Sequence, residues 1–433
     1  MHQAEPGRLA GAGPGRELPA HDLPVHDLSW PAAREAAKEA GAGLAAHLPG
    51  PETVPLPAAV GRVLAADLLA RYALPHYASS AMDGWAVAGP GPWRLPPAAP
   101  AGHGEPPPLE AGQAVPILTG GALPHGTTAV LRRERGAVSG EGGSGSEGSA
   151  DVLSATEGCA PSEGTDIRPA GTEAAEGDLL LPRGTRLNPG AVAVAAVAGA
   201  DTVQVAAPVP VRLVFTGDEV VTSGIPAPGQ VRDAFGPVLP ACVAGLGGTV
   251  DSTARIGDSM EATLEALDGP AARRARILVT TGGTGASPAD HVRPAARRLG
   301  AEFLVDGIAM RPGHPALLAR FPDGRLLLAL PGNPLAALVA VATLLEPALR
   351  AAAGRPASYP VPCRAAADAP PLPGRHRLVP ARWIGAGADR ALAPAEHVGS
   401  AMMRGLATAD ALLVIPPEGL RQGADAGWLP LPW

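Results

Sequence analysis

Residues 276–283 read RILVTTGG, a run of strand-forming residues that ends in a glycine-rich turn. The earlier segment VRLVFTG, at residues 211–217, has the same form. An apolar run bounded by a turn is typical of a strand buried on both faces, as in a parallel sheet. Helical spacing of apolar residues follows at residues 235–247 and 291–300. This alternation predicts an α/β domain with a mostly parallel sheet, beginning near Pro208.

The segments that follow extend this pattern. LLARFPDGRLLLAL, at residues 317–330, predicts an apolar hairpin around Asp323-Gly324. LPGNP (330–334) comes next, where Asn333 is placed to cap a long apolar helix over residues 335–352. A proline-rich break at 355–374 then leads to strand-like runs such as ALLVIPP, which predict a separate small β-domain.

The N-terminal half has a different character. Residues 31–47, 57–70 and 187–200 carry the spacing of helices. Between Leu74 and about Thr165, short apolar segments broken by Gly and Pro predict small β-structure. Two further segments lack any period: residues 1–25 are expected to be a disordered extension, and residues 136–150 a flexible loop.

Composition excludes several classes of protein. The chain has 433 residues, a formal net charge of −7 and only 3% aromatic residues, which disfavours both a phosphate-backbone binder and a stacking platform for nucleic acid. Cys159, Cys242 and Cys363 form no CxxC pair, so neither a disulfide framework nor a structural zinc site is expected. Without a signal peptide or an uninterrupted apolar run of about 18 residues, we expect a soluble, cytoplasmic protein that binds neither nucleic acid nor membrane.

Two loops stand where an open parallel sheet binds ligands, beyond the carboxyl ends of its strands. Thr216-Gly217-Asp218-Glu219 follows the first strand, and Thr281-Gly282-Gly283-Thr284-Gly285 follows a later one. Glycine lets a phosphate approach the backbone, and the N-terminus of the next helix favours an anion. One such loop alone is weak evidence, but two with acidic neighbours predict a phosphate-binding cleft.

Four carboxylates lie in loops of different segments: Asp83, Glu219, Asp258 and Asp290. Each taken alone is more often a helix cap or a solvated turn residue. Gathered around a phosphate, however, they are hard oxygen ligands for Mg²⁺.

The segment LPHYASSAMDGWAV (74–87) and six later blocks together resemble one family, the molybdopterin molybdotransferases, which include bacterial MoeA and the gephyrin E-domain. The six blocks are ILTGGALPHGTTAVLRRE (117–134), GTDIRPAGTEAAEGDLLLPRGTRLNPG (164–190), VRLVFTGDEVV (211–221), ILVTTGGTGASPADHVRPA (277–295), GIAMRPGHPALLARF (307–321) and LLLALPGNPLAAL (326–338). The resemblance extends over nearly the whole chain from about Trp30 onward.

The resemblance implies a multidomain α+β protein. Its parts would be a linking domain from residues 26–73 and 165–207, a β-rich lid domain over 74–164, an α/β molybdopterin-binding domain over 208–354 and a C-terminal β-barrel-like domain over 360–433. It also implies a homodimer, in which the cleft lies between the α/β domain of one subunit and the lid domain of its partner.

The resemblance further implies roles for individual residues. Asp83, Thr119 and Glu219 would be catalytic, and Glu219, Asp258 and Asp290 would hold Mg²⁺. The residues expected to bind substrate are Thr216, Gly217, Gly282, Gly283, Thr284, Arg311, Pro312, His314, Pro315 and Ser400. In the turn Arg311-Pro-Gly-His314-Pro, the prolines fix a rigid loop that aims basic side chains at an anion, where the family has lysine in place of Arg311 and His314.

The implied reaction inserts molybdenum from molybdate into adenylylated molybdopterin, with hydrolysis of the pyrophosphate bond and release of AMP. The upstream molybdopterin adenylyltransferase would be a partner. Three departures from the family pattern bear on this: Asp233-Ala234-Phe235, His314, and the glycine positions in Gly282 to Ser287. The first two favour an alternative, a non-catalytic molybdopterin-binding scaffold or carrier, whereas the carboxylates favour the enzyme. A different nucleotide hydrolase is disfavoured, because the lid and C-terminal blocks also match.

Overall fold

A computed structural model describes residues 27–96, 106–139, 151–285 and 290–433. The chain divides into two compact units. The first unit is Met1–Leu48, Val209–Ala352 and Pro356–Trp433, and the second unit is Pro49–Pro208 with Ala353–Arg355. The predicted extension at residues 1–25 and most of the predicted loop at 136–150 lie outside the described residues. The finer domain boundaries given above stay predictions.

The helices and strands are as follows. The α-helices are α1 (Trp30–Leu44), α2 (Pro189–Val197), α3 (Leu239–Leu246), α4 (Met260–Asp268), α5 (Pro270–Arg274), α6 (Val292–Arg298), α7 (Pro334–Ala340), α8 (Glu346–Ala352) and α9 (Arg404–Ala407). The strands are β1 (Leu28–Ser29), β2 (Glu52–Pro55), β3 (Leu68–Leu69), β4 (Ser79–Ser80), β5 (Gly84–Val87), β6 (Trp93–Arg94), β7 (Ala114–Ile117), β8 (Ala129–Arg132), β9 (Gly136–Ser139), β10 (Val152–Ala155), β11 (Ile167–Arg168), β12 (Leu179–Leu181), β13 (Thr202–Val205), β14 (Val209–Thr216), β15 (Val220–Val221), β16 (Val231–Arg232), β17 (Gly248–Ile256), β18 (Ile277–Thr281), β19 (Glu302–Asp306), β20 (Ile308–Arg311), β21 (Leu317–Arg320), β22 (Leu326–Leu330), β23 (Val361–Arg364), β24 (His376–Ile384), β25 (Ala391–Pro394), β26 (Ala411–Ile415) and β27 (Asp425–Leu429).

A six-stranded sheet in the order β17-β14-β18-β22-β21-β19 carries the first unit. Its first three pairings are parallel, and the pairings β22–β21 and β21–β19 are antiparallel. Phe215 stands opposite Thr281, which stands opposite Leu330, so β14, β18 and β22 end at one edge of the sheet. The two buried strands, the helices after them and the hairpin at Asp323-Gly324 are confirmed.

The core of this unit is built around the apolar segment Pro334–Ala352. It runs from α7 through a π-helical stretch, Val341–Leu345, into α8. This helix is long and apolar enough to cross a membrane, but 89% of its most apolar stretch is buried, as expected for a core helix. Helix α1 packs closely against α8 at Gly41, where an added Cβ would lie 2.1 Å from the carbonyl oxygen of Ala348.

A second sheet in the first unit follows the order β1-β20-β24-β26-β27-β23, with β25 paired to β24. Strand β20 pairs in parallel with both β1 and β24, and Arg311 stands opposite Arg377. The C-terminal strands therefore share a sheet with β20 of the central segment. The barrel-like form expected for the C-terminal part stays a prediction.

The second unit consists largely of short strands, as predicted for residues 74 to 165. It contains two three-stranded sheets, β6-β10-β9 and β7-β5-β8, and several two-stranded pairings such as β11-β4. The flexible loop predicted over residues 136–150 is wrong in its first part, because Gly136–Ser139 forms β9 and pairs with β10. The predicted helix at 187–200 is confirmed as α2, where the Asn188 side chain accepts the Ala191 N–H at 2.8 Å.

The helix predicted over residues 57–70 is wrong. This segment contains only a 3-10 turn, Leu56–Ala58, and strand β3. Gly61 adopts a φ of 83°, in the left-handed region that ends a right-handed helix. The N–H of Leu64 then bonds to the carbonyl of Thr185 at 2.9 Å. Long-range pairing therefore satisfies the backbone that the apolar spacing suggested would be helical.

Candidate functional site

A cavity of about 690 Å³ opens at the edge where β14, β18 and β22 end. Its volume is within the range of small-molecule and cofactor sites. All of its lining residues belong to the first unit: Thr216, Gly217, Glu219, Val220, Val231, Arg232, Asp233, Ala234, Phe235, Asp258, Thr281, Gly282, Gly283, Asp290, Gly332, Asn333, Pro334 and Ala401. Seven predicted site residues are among them: Thr216, Gly217, Glu219, Asp258, Gly282, Gly283 and Asp290.

The first loop of the cavity follows β14. Gly217 has a φ of 113°, and an added Cβ would lie 2.8 Å from Oε2 of Glu219. Glycine is thus required for the turn and for the position of the Glu219 side chain. Thr216 Oγ1 donates to the carbonyl of Thr281 at 2.5 Å, which joins this loop to the end of β18.

The second loop follows β18, and its glycines are also in left-handed conformation. Gly282 and Gly283 have φ values of 83° and 66°. An added Cβ would lie 2.8 Å from Thr216 Oγ1 at Gly282, and 2.7 Å from Val292 Cγ2 at Gly283. The loop therefore presents bare backbone to the cavity, a surface that an anionic group can approach closely.

Three carboxylates, those of Glu219, Asp258 and Asp290, border the same cavity. The N–H of Asp218 donates to Oδ2 of Asp258 at 3.4 Å, which holds Asp258 beside the first loop. Within the described ranges, no three acidic, histidine or cysteine side chains are already gathered as a metal site. This donor set fits Mg²⁺, which takes oxygen ligands, keeps several waters and is completed by substrate phosphates.

Four apolar residues also line the cavity, and none of them was among the predicted site residues. Phe235 and Ala234 line the cavity, together with Val220 and Val231. Asp233 holds the turn at Phe235: its Oδ1 accepts the N–H of Phe235 at 2.8 Å, and its Oδ2 pairs with Arg255 at 2.6 Å. Burial raises the pKa of Asp233, but the backbone N–H donors and Arg255 outweigh it, and the net pKa is lowered.

Gly332, Asn333 and Pro334 also line the cavity, although the LPGNP motif was interpreted mainly as a helix start. Asn333 is the N-cap residue of α7, but its side chain makes no capping hydrogen bond, contrary to the prediction. The position of this motif after a buried strand was the signal that could have included it among the site residues.

The other predicted substrate-binding residues are not among the described residues that line this cavity: Thr284, Arg311, Pro312, His314, Pro315 and Ser400. Thr284 is buried, and its carbonyl accepts from Arg293 at 3.3 Å. The carbonyl of Ser400 accepts the N–H of Leu335 at 3.0 Å, while its neighbour Ala401 reaches the cavity.

Arg311, the last residue of β20, and His314, in the turn after it, instead belong to a group of basic residues that also includes Arg375 and Arg377. We call these four residues the basic group. Arg311 is adjacent to Arg377 across the parallel pairing of β20 and β24. His314 Nε2 lies 2.8 Å from Oδ2 of Asp27, and Arg375 Nη2 lies 3.7 Å from the same oxygen. No sequence pattern indicated Asp27, Arg375 or Arg377, since only strand register brings them together.

Asp83 and Thr119 lie in the second unit. Asp83 is exposed between β4 and β5, and its Oδ1 accepts both the N–H of Thr119 at 2.7 Å and the Thr119 hydroxyl at 2.8 Å. These two bonds, the backbone one first, lower the pKa of Asp83. The pair is therefore a fixed, ionised carboxylate on a surface loop.

The cavity in the first unit combines glycine turns, carboxylate oxygens and apolar side chains. These features are the ones expected of a site for a phosphorylated ligand at the edge of an α/β sheet. Three family models match the chain: "MoeA N-terminal region (domain I and II)" over residues 31–199, "Probable molybdopterin binding domain" over 212–351, and "MoeA C-terminal region (domain IV)" over 362–431. The cavity lies within the second of these and extends to Ala401 in the third.

Individual proteins agree with these matches. The chain is 35% identical to a molybdopterin molybdenumtransferase of Synechococcus elongatus in an alignment of 318 residues that covers 69% of this chain and 75% of that protein. It is 33% identical to molybdopterin molybdenumtransferase 2 of Mycobacterium tuberculosis, over 71% of this chain and 77% of that protein. The fold is similar to that of a MoeA protein from Pyrococcus horikoshii, with a TM-score of 0.70, 22% identity and coverage of 93% and 99% of the two chains. The chain belongs to the MoeA family, and the expected role in molybdenum cofactor biosynthesis is thereby supported.

Proposed function

We propose that this protein is a molybdopterin molybdotransferase, which inserts molybdenum from molybdate into adenylylated molybdopterin and releases AMP. One observation carries the proposal: two glycine turns and three carboxylates, Glu219, Asp258 and Asp290, surround one cavity at the edge of the sheet. A phosphorylated ligand needs backbone donors, and a divalent cation on its phosphates needs oxygen ligands.

The glycine loops would bind the phosphate groups. Gly217, Gly282 and Gly283 let the backbone come close, and the bond from Thr216 to Thr281 keeps the two loops in fixed relation. The pterin or adenine ring would lie against the wall at Phe235, because a flat heteroaromatic group gains from contact with an aromatic face. The substrate is thus oriented before any bond is broken.

Glu219, Asp258 and Asp290 would hold Mg²⁺. When bound, the ion would neutralise charge on the phosphates and polarise the bond to be broken. The missing side chain at Gly217 leaves room for the Glu219 carboxylate, and the bond from the Asp218 N–H holds Asp258 beside the first loop. The remaining negative charge of the carboxylates would also favour departure of AMP.

The basic group of Arg311, His314, Arg375 and Arg377 would receive molybdate, an oxyanion that guanidinium groups and an imidazole N–H can bind. Pro312 and Pro315 would fix the turn, with Thr284 and Ser400 as further substrate contacts inferred from the resemblance. Asp83, oriented by Thr119, would position the water that cleaves the pyrophosphate bond. As the resemblance implies, we propose a cytoplasmic homodimer that receives its substrate from the upstream molybdopterin adenylyltransferase.

The second candidate is a non-catalytic molybdopterin-binding scaffold. It is favoured by Phe235 and His314, which stand where the family has a polar residue and a lysine. The scaffold would need the cavity but not its acids. The test is therefore whether the carboxylates are required for metal insertion.

Complementation of a bacterial strain that lacks its own molybdotransferase makes this test. Wild type is expected to restore molybdoenzyme activity, whereas Asp258→Asn and Glu219→Gln are expected to fail while remaining folded. Glu302→Gln, which removes the same charge at an exposed residue of β19, is the control and should complement. Failure of wild type, together with tight binding of molybdopterin by the purified protein, would favour the scaffold.

A further inference from the structure

The basic group of Arg311, His314, Arg375 and Arg377 comes from two segments of the first unit, which the parallel pairing of β20 with β24 brings together. Arg311 and Arg377 are neighbours in parallel register, so their side chains leave the same face of the sheet. Nε of Arg377 is buried and has no hydrogen-bond partner among the described residues. The pKa of Arg377 is lowered, first by burial and then by the charge of Arg311. The neighbouring positive charges of Arg311 and Arg377, together with the unpaired Nε donor of Arg377, favour binding of an anion at this place.

Asp27 is the carboxylate that contacts this group. Its Oδ2 lies 2.8 Å from His314 Nε2 and 3.7 Å from Arg375 Nη2. The backbone beside it is anchored, because the N–H of Leu28 bonds to the carbonyl of Gly307 at 3.2 Å as β1 joins β20. The carboxylate is therefore delivered to the basic residues by strand pairing.

Gly307 makes room for this carboxylate. Its φ is 107°, and an added Cβ would lie 2.6 Å from Oδ1 of Asp27. A residue with a side chain at this position would displace the carboxylate and would also be strained. The backbone on one side, and His314 with Arg375 on the other, hold the Asp27 side chain in one place.

We propose that Asp27 is a resident counter-ion of the basic group: its carboxylate engages His314 and Arg375 where a tetrahedral oxyanion would bind, and so it sets the oxyanion affinity of the site. The inference rests on the proposed function, in which this group receives molybdate. An incoming oxyanion must take the donors of His314 and Arg375 from Asp27 and remain close to its negative charge. Both effects weaken binding.

Asp27→Asn tests this directly. The amide has nearly the same shape, and its oxygen can still accept a hydrogen bond, but it carries no charge. Because the Asp27 side chain is 28% exposed, water screens part of the repulsion, and we expect the dissociation constant for molybdate to fall roughly tenfold. Sulfate should gain by a similar factor, since both are tetrahedral dianions.

The measurement is titration calorimetry of molybdate, and separately of sulfate, into the purified full chain at fixed ionic strength. Glu302→Gln is the matched control: it removes one carboxylate that pairs with Arg320 at 2.7 Å, on the edge strand of the other sheet. Its oxyanion affinity should equal that of wild type. The inference is overturned if Asp27→Asn binds no more tightly than wild type, if no form binds either anion, or if Glu302→Gln gains as much.

Metal insertion, assayed on the same preparations, separates this inference from the proposed function. If Asp27→Asn binds the oxyanion more tightly but no form inserts metal, the proposed function is wrong and the counter-ion role is supported. If wild type inserts metal but Asp27→Asn has unchanged oxyanion affinity, the counter-ion role is wrong and the proposed function is supported.

Discussion

Gly282 and Gly332 line the same cavity but differ in what a methyl group would meet, which gives a sharp test of the glycine loops. At Gly282, alanine would adopt a φ of 83°, a left-handed conformation that costs about 1–2 kcal/mol. Its Cβ would lie 2.8 Å from Thr216 Oγ1, so the hydroxyl must move and its bond to the Thr281 carbonyl is lost, at about 1 kcal/mol more. We therefore expect Gly282→Ala to lower the free energy of unfolding by about 2–3 kcal/mol.

Gly332→Ala is the matched variant. Gly332 is outside the left-handed region, and the nearest atom to an added Cβ is the Gly282 Cα at 3.8 Å, so the change in stability should stay within about 0.5 kcal/mol. Both variants reduce the space for a phosphate and should weaken substrate binding. Urea denaturation and substrate titration are measured on both. Equal stability of the two variants, or full substrate affinity in both, would refute the reasoning.

Three other predictions follow from single contacts. Asp83→Asn keeps both hydrogen bonds from Thr119, so melting temperature should be unchanged while metal insertion falls at least about a hundredfold; a parallel loss of stability would make Asp83 structural. The lowered pKa of Asp83 keeps this carboxylate ionised down to acid pH. The contribution of Asp83 to metal insertion should therefore be constant from pH 5 to 8 and be lost only as pH falls through that pKa. Asp233→Asn should cost about 1–2 kcal/mol at neutral pH through the lost pairing with Arg255. Because the pKa of Asp233 is lowered in the folded protein, this difference should be present in full above the ordinary carboxyl pKa and be lost as pH falls from there through the lowered pKa; unfolding curves followed from pH 7 into the acid range check this. Gly41→Ala should lower the free energy of unfolding by at least about 3 kcal/mol, because its Cβ would meet the backbone of α8. Gly43→Ala, whose Cβ would have no atom within 4 Å, should leave stability unchanged or raise it. Similar melting temperatures for the two variants would contradict the packing of α1.

The sequence predicted those parts of the fold whose signal is local. The strands at 211–217 and 276–283 are continuous apolar runs, and each ends in a glycine turn that the structure places at the cavity. The prediction failed at residues 57–70, where apolar spacing suggested a helix and Gly61 with long-range pairing to Thr185 gave irregular structure instead. Local periodicity contains no information about a pairing partner such as Thr185, which is more than a hundred residues away in the sequence.

The same limit applies to the site. Glu219, Asp258 and Asp290 were predicted from their places in loops of different segments together with the family resemblance, and all three border the cavity. Phe235 lines the cavity although its sequence position suggested only a lost polar contact. Asp27 approaches His314 through the pairing of β1 with β20. The register of that pairing cannot be predicted from the sequence of either strand alone. Residues assembled by strand register therefore required the structure.

Release of AMP from adenylylated molybdopterin, measured together with transfer of molybdenum in one purified reaction, tests the central claim most directly. With Mg²⁺ and molybdate present, wild type is expected to release one AMP for each molybdenum inserted, and Asp258→Asn should do neither while keeping its fold. Bound substrate that persists unhydrolysed with wild-type protein, or equal turnover by wild type and Asp258→Asn, would contradict the assignment of this cavity as the binding site for adenylylated molybdopterin and Mg²⁺.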